Sequence, residues 1–259
     1  MDRKRFMRDV YSHYWLRARE TKYGFMEYDR LLCDMLSGRL TDRAPEGGKL
    51  LEVAIGTGYP IADALAKRGF EIHGIDISPA LVEKCRATNP AIHAKVGDAE
   101  QLEYADGEFD AVYCFHSSWY FPDLTRVIDE MLRVTKPGGF IAFDIQNAAN
   151  PAIAADFDRR RAQVRPGLGP RLNLHARNLA KVILRRGNPN WHAVIYEVPT
   201  DPQLVYDHLP RTAATFDVYD RSLNRLPGAG AFSEHPRLVF VVSRVPVGRV
   251  PVSPEPEHA

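Results

Sequence analysis

Between Lys49 and Ile145 two hydrophobic rhythms alternate along the chain. Short, nearly unbroken apolar runs occupy 49–55 (KLLEVAI), 70–77 (FEIHGIDI), 91–99 (AIHAKVGDA), 109–115 (FDAVYCF) and 140–145 (FIAFDI). Between them, apolar residues return every three or four positions, as in IADALAKRG, PALVEKCRA and LTRVIDEMLRVT. The runs predict strands buried on both faces and the wider spacing predicts helices. The punctuation agrees: Pro60 suits a helical first turn, Gly69 a helix stop, Ser78-Pro79 a helix start, and Pro137-Gly138-Gly139 a turn. Strands alternating with helices predict an α/β fold with a mostly parallel sheet covered on both sides.

Outside that region the rhythm changes. Residues 1–45 read as helices rich in aromatics and arginine, with Leu31, Leu32, Met35 and Leu36 at helical spacing. After Asn150 the chain turns basic, with nine Lys/Arg before Asn190 against the two acids Asp156 and Asp158. Further on, 192–198 (HAVIYEV), TFDVYD and RLVFVVSRV (237–245) read as strands and DPQLVYDHL as a short helix. The expected organisation is an N-terminal helical cap (1–45), a core (46–150) and a basic insertion acting as a lid (151–191). C-terminal strands (192–246) then complete the sheet and the substrate pocket, and a proline-rich tail (247–259) is expected to be disordered.

Composition narrows the classes. The 259 residues carry 34 Lys+Arg and 33 Asp+Glu, a formal net charge of +1, so no global field draws the molecule to nucleic acid or membrane. The fractions, 45% hydrophobic and 26% charged, are those of a soluble globular protein. Cys33, Cys85 and Cys114 stand far apart, with no CxxC pair and no histidine cluster at metal spacing. Reduced thiols, no metal and a cytoplasmic location are the expectation. No apolar run approaches the roughly 20 residues of a membrane helix, and MDRKRFMRDVY lacks the apolar core of a secretion signal.

In parallel sheets of this kind ligands bind beyond the carboxyl ends of the strands. Gly56 and Gly58 follow the first strand, Asp76 closes the second, Asp98-Ala99 the third and Phe115-His116 the fourth. Glycines admit a ligand close to the backbone. A carboxylate after the second strand can accept both hydroxyls of a ribose, and Asp76 lies 18 residues beyond Gly58. Two details weigh against NAD. The third glycine of a dinucleotide loop would fall at Ile61, and NAD gives no task to Asp98-Ala99. An adenine gives one, since a carboxylate accepts from its amine while a backbone N–H donates to the ring.

Taken in order, LLEVAIGTG, IHGIDIS, VGDAEQLEYADGEFDAVYC and MLRVTKPGG resemble the successive motifs of class I S-adenosylmethionine-dependent methyltransferases of the small-molecule kind, over residues 49–145. The resemblance implies a Rossmann-like, seven-stranded, mostly parallel sheet whose two late strands form an antiparallel end. It implies S-adenosylmethionine as cofactor and S-adenosylhomocysteine as product. Glu52 and the 54–58 loop would border the methionine part, Asp76 would hold the ribose, and Ile77 would pack on the adenine. Asp98 and Ala99 would lie at the adenine's edge and Phe115 would flank the cofactor. The departure is Ala54, where many members carry glycine; alanine is expected to keep a negative φ there.

Methyl transfer from a sulfonium is an in-line displacement governed by positioning. His116 is the candidate base; the alternative is a histidine that only hydrogen-bonds a neighbouring loop. Tyr11, Tyr14 and Tyr23 are candidates to close over the cofactor, an aromatic face attracting a sulfonium. Of these, Tyr14 is assigned to the cofactor and Tyr11 to the substrate pocket. Trp119 and Tyr120 are the other acceptor-pocket candidates, with core packing as the alternative. Asp144 reads as structural or cofactor-side. The expected partner is a small-molecule acceptor, anionic if the basic insertion steers it, with neither DNA nor membrane. An RNA methyltransferase is the alternative enzyme, against which stands the lack of an added RNA-binding module. A cofactor-binding protein without catalysis is the alternative outside enzymes.

Overall fold

The computed structural model describes residues 3–11, 16, 25–41, 47–163, 197–212 and 214–244. Five strands run parallel: β1 (Lys49–Val53), β2 (Glu71–Asp76), β3 (His93–Val96), β4 (Phe109–Cys114) and β5 (Thr135–Gln146). β6 (Ala214–Tyr219) and β7 (Arg237–Arg244) complete one seven-stranded sheet in the order β3-β2-β1-β4-β5-β7-β6. β7 is antiparallel to both of its neighbours, β5 and β6. The expected sheet, with its antiparallel end, is therefore present. Strand order reverses between β1 and β4, so a crevice opens beyond their carboxyl ends.

The strands are apolar on both faces because both faces are covered. One face packs Leu51, Val53, Val112, Ile141 and Phe143 under α5 (Leu124–Val134) and α7 (Pro202–His208). The other packs Leu50, Ile72, Ala111, Phe140 and Val241 under α2 (Glu27–Thr41), α3 (Ile61–Lys67) and α4 (Pro79–Thr88). In α5, Leu124, Val127, Ile128, Met131 and Leu132 make the buried stripe, and the Asp123 carboxylate accepts from the Arg126 N–H at 3.1 Å to cap the first turn. Ser78 caps α4 from outside, with Pro79 at its first position.

Some boundaries differ from expectation. The third strand stops at Val96: the Gly97 N–H makes the last rung to β2, at the Asp76 carbonyl 3.0 Å away, and Asp98 then begins a turn. Of the strand expected over 192–198, Glu197 and Val198 lie in no strand, and Thr200 makes only an isolated bridge to Asn147; 192–196 lie outside the described residues. At the N-terminus a short helix, α1 (Arg3–Phe6), runs into the π-helical turn Met7–Tyr11. After β5 comes α6 (Pro151–Gln163), the described start of the basic insertion; the rest of that insertion and the tail lie outside the described residues.

Candidate active site

The loop after β1 is built by alternating backbone hands. Ala54, Gly56 and Gly58 all have positive φ, at 59°, 59° and 78°. Ala54 therefore contradicts the expected negative φ. The reason lies in its neighbours. The Ile55 N–H still reaches the Ile75 carbonyl at 2.8 Å, and the Gly56 N–H must then point to the Asp76 carboxylate at 2.9 Å. Only a left-handed residue between Val53 and Ile55 turns the chain tightly enough for both. Such a conformation costs a side-chain-bearing residue about 1–2 kcal/mol. Gly58 is glycine for space as well as for φ: a Cβ there would lie 2.8 Å from the Cys85 Sγ. A Cβ on Gly74 would meet the Ile55 side chain at 2.1 Å, so β2 makes room for the loop.

Asp76 is the buried carboxylate at the end of β2. It accepts the N–H of Gly56 on one oxygen and that of Ser78 on the other, each at 2.9 Å. Burial nonetheless pushes its carboxyl up to about 6, the two N–H groups offsetting only part of that cost. Each oxygen keeps accepting capacity toward the cleft. Asp98 accepts the Glu100 N–H at 2.9 Å and the Lys4 ammonium at 2.7 Å. Lys4 also reaches Glu100 at 2.6 Å, fastening α1 over this end of the cleft. Glu52 lies buried in β1 and accepts from the Tyr113 hydroxyl at 3.2 Å.

The opposite wall is the turn after β4. His116 has φ 60° and is held from three sides. Its N–H donates to Asp144 at 2.8 Å, its Nε2 faces the Asp29 carboxylate at 2.8 Å, and its Nδ1 faces Arg237 Nη1 at 3.0 Å. A guanidinium has no acceptor, so Nδ1 accepts that bond. Both ring nitrogens are thus engaged within the protein. Asp144, fully buried in β5, also holds Arg237 at 2.9 Å and the Tyr28 hydroxyl at 3.2 Å. Burial lowers the Arg237 guanidinium, but the charges and hydrogen bonds of Asp144 and Tyr28 together outweigh it and leave the group above its ordinary value. Burial, then the same Asp144 charge, drives the Tyr28 hydroxyl well up.

One cleft joins these parts, with about 1090 Å³ of empty space including its open mouth. Among the described residues its walls include Glu52, Ala54, Gly56, Asp76, Ile77, Asp98, Ala99, Phe115, His116 and Tyr120. Gly58 supports the loop from behind, and Trp119 is not in the wall. Trp119 is buried beneath Arg237, whose guanidinium carbon lies 4.8 Å from the centre of the indole ring, the place that its core-packing alternative describes. Tyr120 faces the cleft, and its hydroxyl donates to Glu197 at 2.9 Å. Tyr11 ends the π-helical turn; Tyr14 and Tyr23 lie outside the described residues.

Lys4, Asp29 and Arg237 were missed by sequence reasoning. Asp29 had a usable signal, a carboxylate three residues before Leu32 on the buried stripe of α2. Arg237 had a weaker one, a charge opening an otherwise apolar strand.

The cleft's charges select its ligand. Glu52, Asp76 and Asp98 face it, and among its described lining residues Lys4 is the one lysine or arginine, already paired with two carboxylates. A pyrophosphate would meet repulsion there. A nucleoside bearing a sulfonium and an ammonium would not, and Ile77 and Ala99 add apolar surface to the same wall. At the switch point of this strand order, these features define a class I S-adenosylmethionine-dependent methyltransferase.

Known proteins agree. Residues 51–143 match the family model described as a methyltransferase domain. The chain is 31% identical over 232 residues to 27-O-demethylrifamycin SV methyltransferase of Amycolatopsis mediterranei (strain S699), a match covering 82% of this chain and 80% of that protein. The chain belongs to the S-adenosylmethionine-dependent methyltransferase family, and S-adenosylmethionine is its cofactor. A second relative, 2-methyl-6-phytyl-1,4-hydroquinone methyltransferase of Synechocystis sp. (strain ATCC 27184 / PCC 6803 / Kazusa), is 37% identical over 122 residues, 46% of this chain and 35% of that one. Magnesium protoporphyrin IX methyltransferase from Synechocystis PCC 6803, solved with S-adenosylhomocysteine bound, shares the fold with a TM-score of 0.58 at 12% identity, over 93% of this chain and 97% of that chain.

Proposed function

We propose that this enzyme methylates a small-molecule acceptor of specialised metabolism, with a hydroxyl oxygen as the first nucleophile to test. The observation that supports the acceptor class most directly is the match over four fifths of both chains to an enzyme named for 27-O-demethylrifamycin SV. In this reading Asp76 accepts the ribose hydroxyls, Ile77 and Ala99 sandwich the adenine, and Asp98 exchanges its Lys4 contact for the adenine amine. Glu52 and the 54–58 backbone meet the amino-acid end. The bound cofactor supplies an electrophilic methyl group. The chain's own residues hold the acceptor in line with it and keep water out, Phe115 and Tyr120 forming the wall nearest that point.

His116 acts here by shaping the turn, since both its nitrogens are engaged. The Tyr120 hydroxyl, hydrogen-bonded to Glu197, gives an acceptor's proton a route out of the cleft. In this reading α1 and α2 belong to the N-terminal cap, and α6 opens the basic stretch proposed to steer an anionic acceptor. Cys33, Cys85 and Cys114 are free and buried, in keeping with action in the cytoplasm. Among the described residues no helix is long and apolar enough to cross a membrane.

The test is calorimetry with S-adenosylmethionine, followed by product release with a panel of hydroxylated polyketides, phenols and quinols. Saturable binding and turnover of a panel member are expected. Turnover of RNA in place of every small molecule would overturn the acceptor class.

A further inference from the structure

At the end of the sheet away from the cleft, three donor side chains converge. Glu71 and His73 are two apart on β2 and point to the same face. His93 opens β3 directly opposite His73 in the parallel register, so the two histidines stand one strand spacing apart. One ligand atom from each of the three residues lies within 4.8 Å of the others. The His73 Nε2 is 2.7 Å from a Glu71 carboxylate oxygen, and the two imidazole centroids are 4.8 Å apart. His73 is seated rather than loose: it packs edge-on against Phe109 and Tyr104, at 5.5 and 6.2 Å between centroids. Two lysines flank the cluster and both are engaged: Lys49 is turned to Glu108 at 2.7 Å and to the Phe109 ring at 5.0 Å, and Lys95 to the Glu103 carbonyl at 2.7 Å and to the Tyr104 ring at 3.6 Å.

We propose that Glu71, His73 and His93 form a divalent-metal site, a two-imidazole, one-carboxylate set suited to zinc, with its fourth position open to water. Imidazole is a good zinc ligand and a carboxylate is an ordinary third one, as in catalytic zinc sites of two histidines and one glutamate. Zinc bonds of about 2.0–2.2 Å require donors spaced roughly 3.3 Å apart. The Glu71–His73 pair therefore opens slightly and His93 closes in, movements that exposed Glu71 and His93 can make by rotation. On binding, the ring nitrogen that takes the metal gives up its contact with Glu71 and the His73 proton moves to the other ring nitrogen. The bound ion would staple the edge strand β3 to β2. The sequence shows no metal spacing because His73 and His93 are 20 residues apart and meet only through parallel pairing.

The test uses the full chain after chelator treatment, titrated with cobalt(II) for its visible absorption and then with zinc in competition. Wild type is compared with His93→Ala and with Glu71→Gln, whose exposed side chains make both variants compatible with folding; unfolding curves without metal check this. The expected result is one zinc more per wild-type chain than per His93→Ala chain, and affinity at least tenfold weaker in Glu71→Gln. A zinc-dependent rise in unfolding temperature should be largest in wild type, smaller in Glu71→Gln and smallest in His93→Ala. Equal stoichiometry, affinity and thermal response in all three proteins would overturn the proposal, and histidines elsewhere in the chain cancel in the comparison.

Discussion

Replacing Asp76 with asparagine separates what this residue contributes to ligand binding from what it costs the fold. Its carboxyl is displaced from an ordinary 3.8 to about 6 by burial, equivalent to about 3 kcal/mol against the charged form. Between pH 4 and 6 the folded protein therefore holds a proton that the unfolded chain has already released. Stability from this group is greatest below that window and falls as pH rises through it. Asparagine cannot titrate, so the variant escapes this loss. It also turns an amide N–H₂ toward the N–H of Gly56 or Ser78 and gives up one hydrogen bond, a cost of about 1–3 kcal/mol. At pH 8 the ligand-free variant should match wild type or exceed it by up to about 2 kcal/mol. At pH 5, where roughly half of the wild-type loss has yet to occur, it should fare about 1.5 kcal/mol worse by comparison. Urea unfolding at the two pH values measures this. Parallel pH profiles for both proteins would refute the assignment of a strained carboxylate. In the same preparations calorimetry should show S-adenosylmethionine affinity falling roughly a hundredfold in the variant, the size of one hydrogen bond to a charged acceptor.

Ala54→Gly should relieve the left-handed strain at φ 59° and stabilise the protein by up to about 1 kcal/mol, net of glycine's unfolded-state entropy. Thermal unfolding should show a rise of about 2–4 °C, and a fall would mean that the Ala54 Cβ makes a packing contact worth more than the strain. His116→Ala leaves the Asp29 carboxylate without the ring it faces and should cost about 2–4 kcal/mol in denaturant unfolding. Unchanged stability with abolished turnover would instead make the ring a proton acceptor. Lys4→Ala removes the clasp on Asp98 and Glu100, and because these groups are partly exposed it should cost no more than about 1 kcal/mol of stability. Stopped-flow release of S-adenosylhomocysteine should nevertheless be faster, and an unchanged rate would show that α1 does not retain the ligand.

The half of the molecule that binds cofactor is legible because its physics is local. A strand buried on both faces must read as an apolar run, and the turn at its end must carry glycine or a short polar residue; Gly56, Asp76 and Asp98 can be placed from that alone. Ala54 is misread from sequence because its φ is set by two hydrogen bonds to β2, a strand some 20 residues away. Trp119 is ambiguous from sequence for a similar reason. Of the residues just past β4, Phe115, His116, Ser117 and Tyr120 line the cleft while Ser118 and Trp119 between them are buried away from it, a division that no periodicity announces. Arg237 and Asp29 lie 208 residues apart and come together only on opposite nitrogens of the His116 ring, Arg237 brought there by the pairing of β7 with β5. No spacing in the chain announces such a meeting. Legibility therefore declines with the sequence separation of the contacts that decide a residue's role.

The two residues that carry a Cβ in left-handed conformation on the cleft wall, Ala54 and His116, come after adjacent strands, β1 and β4, and face each other across the switch point. Strain of about 1–3 kcal/mol at each persists only where the surroundings over-determine the backbone. At Ala54 this comes from the Ile75 carbonyl and the Asp76 carboxylate. At His116 it comes from Asp144, Asp29 and Arg237, in a network closed by Tyr28. Neither turn can relax without leaving a buried charge or N–H unpaired, so both walls are stiff. A reaction whose barrier is lowered by alignment gains from stiffness more than from a proton acceptor. The buried charges around Asp144 thus make sense as the support for one wall, and Asp76, held by the loop it anchors, as the support for the other.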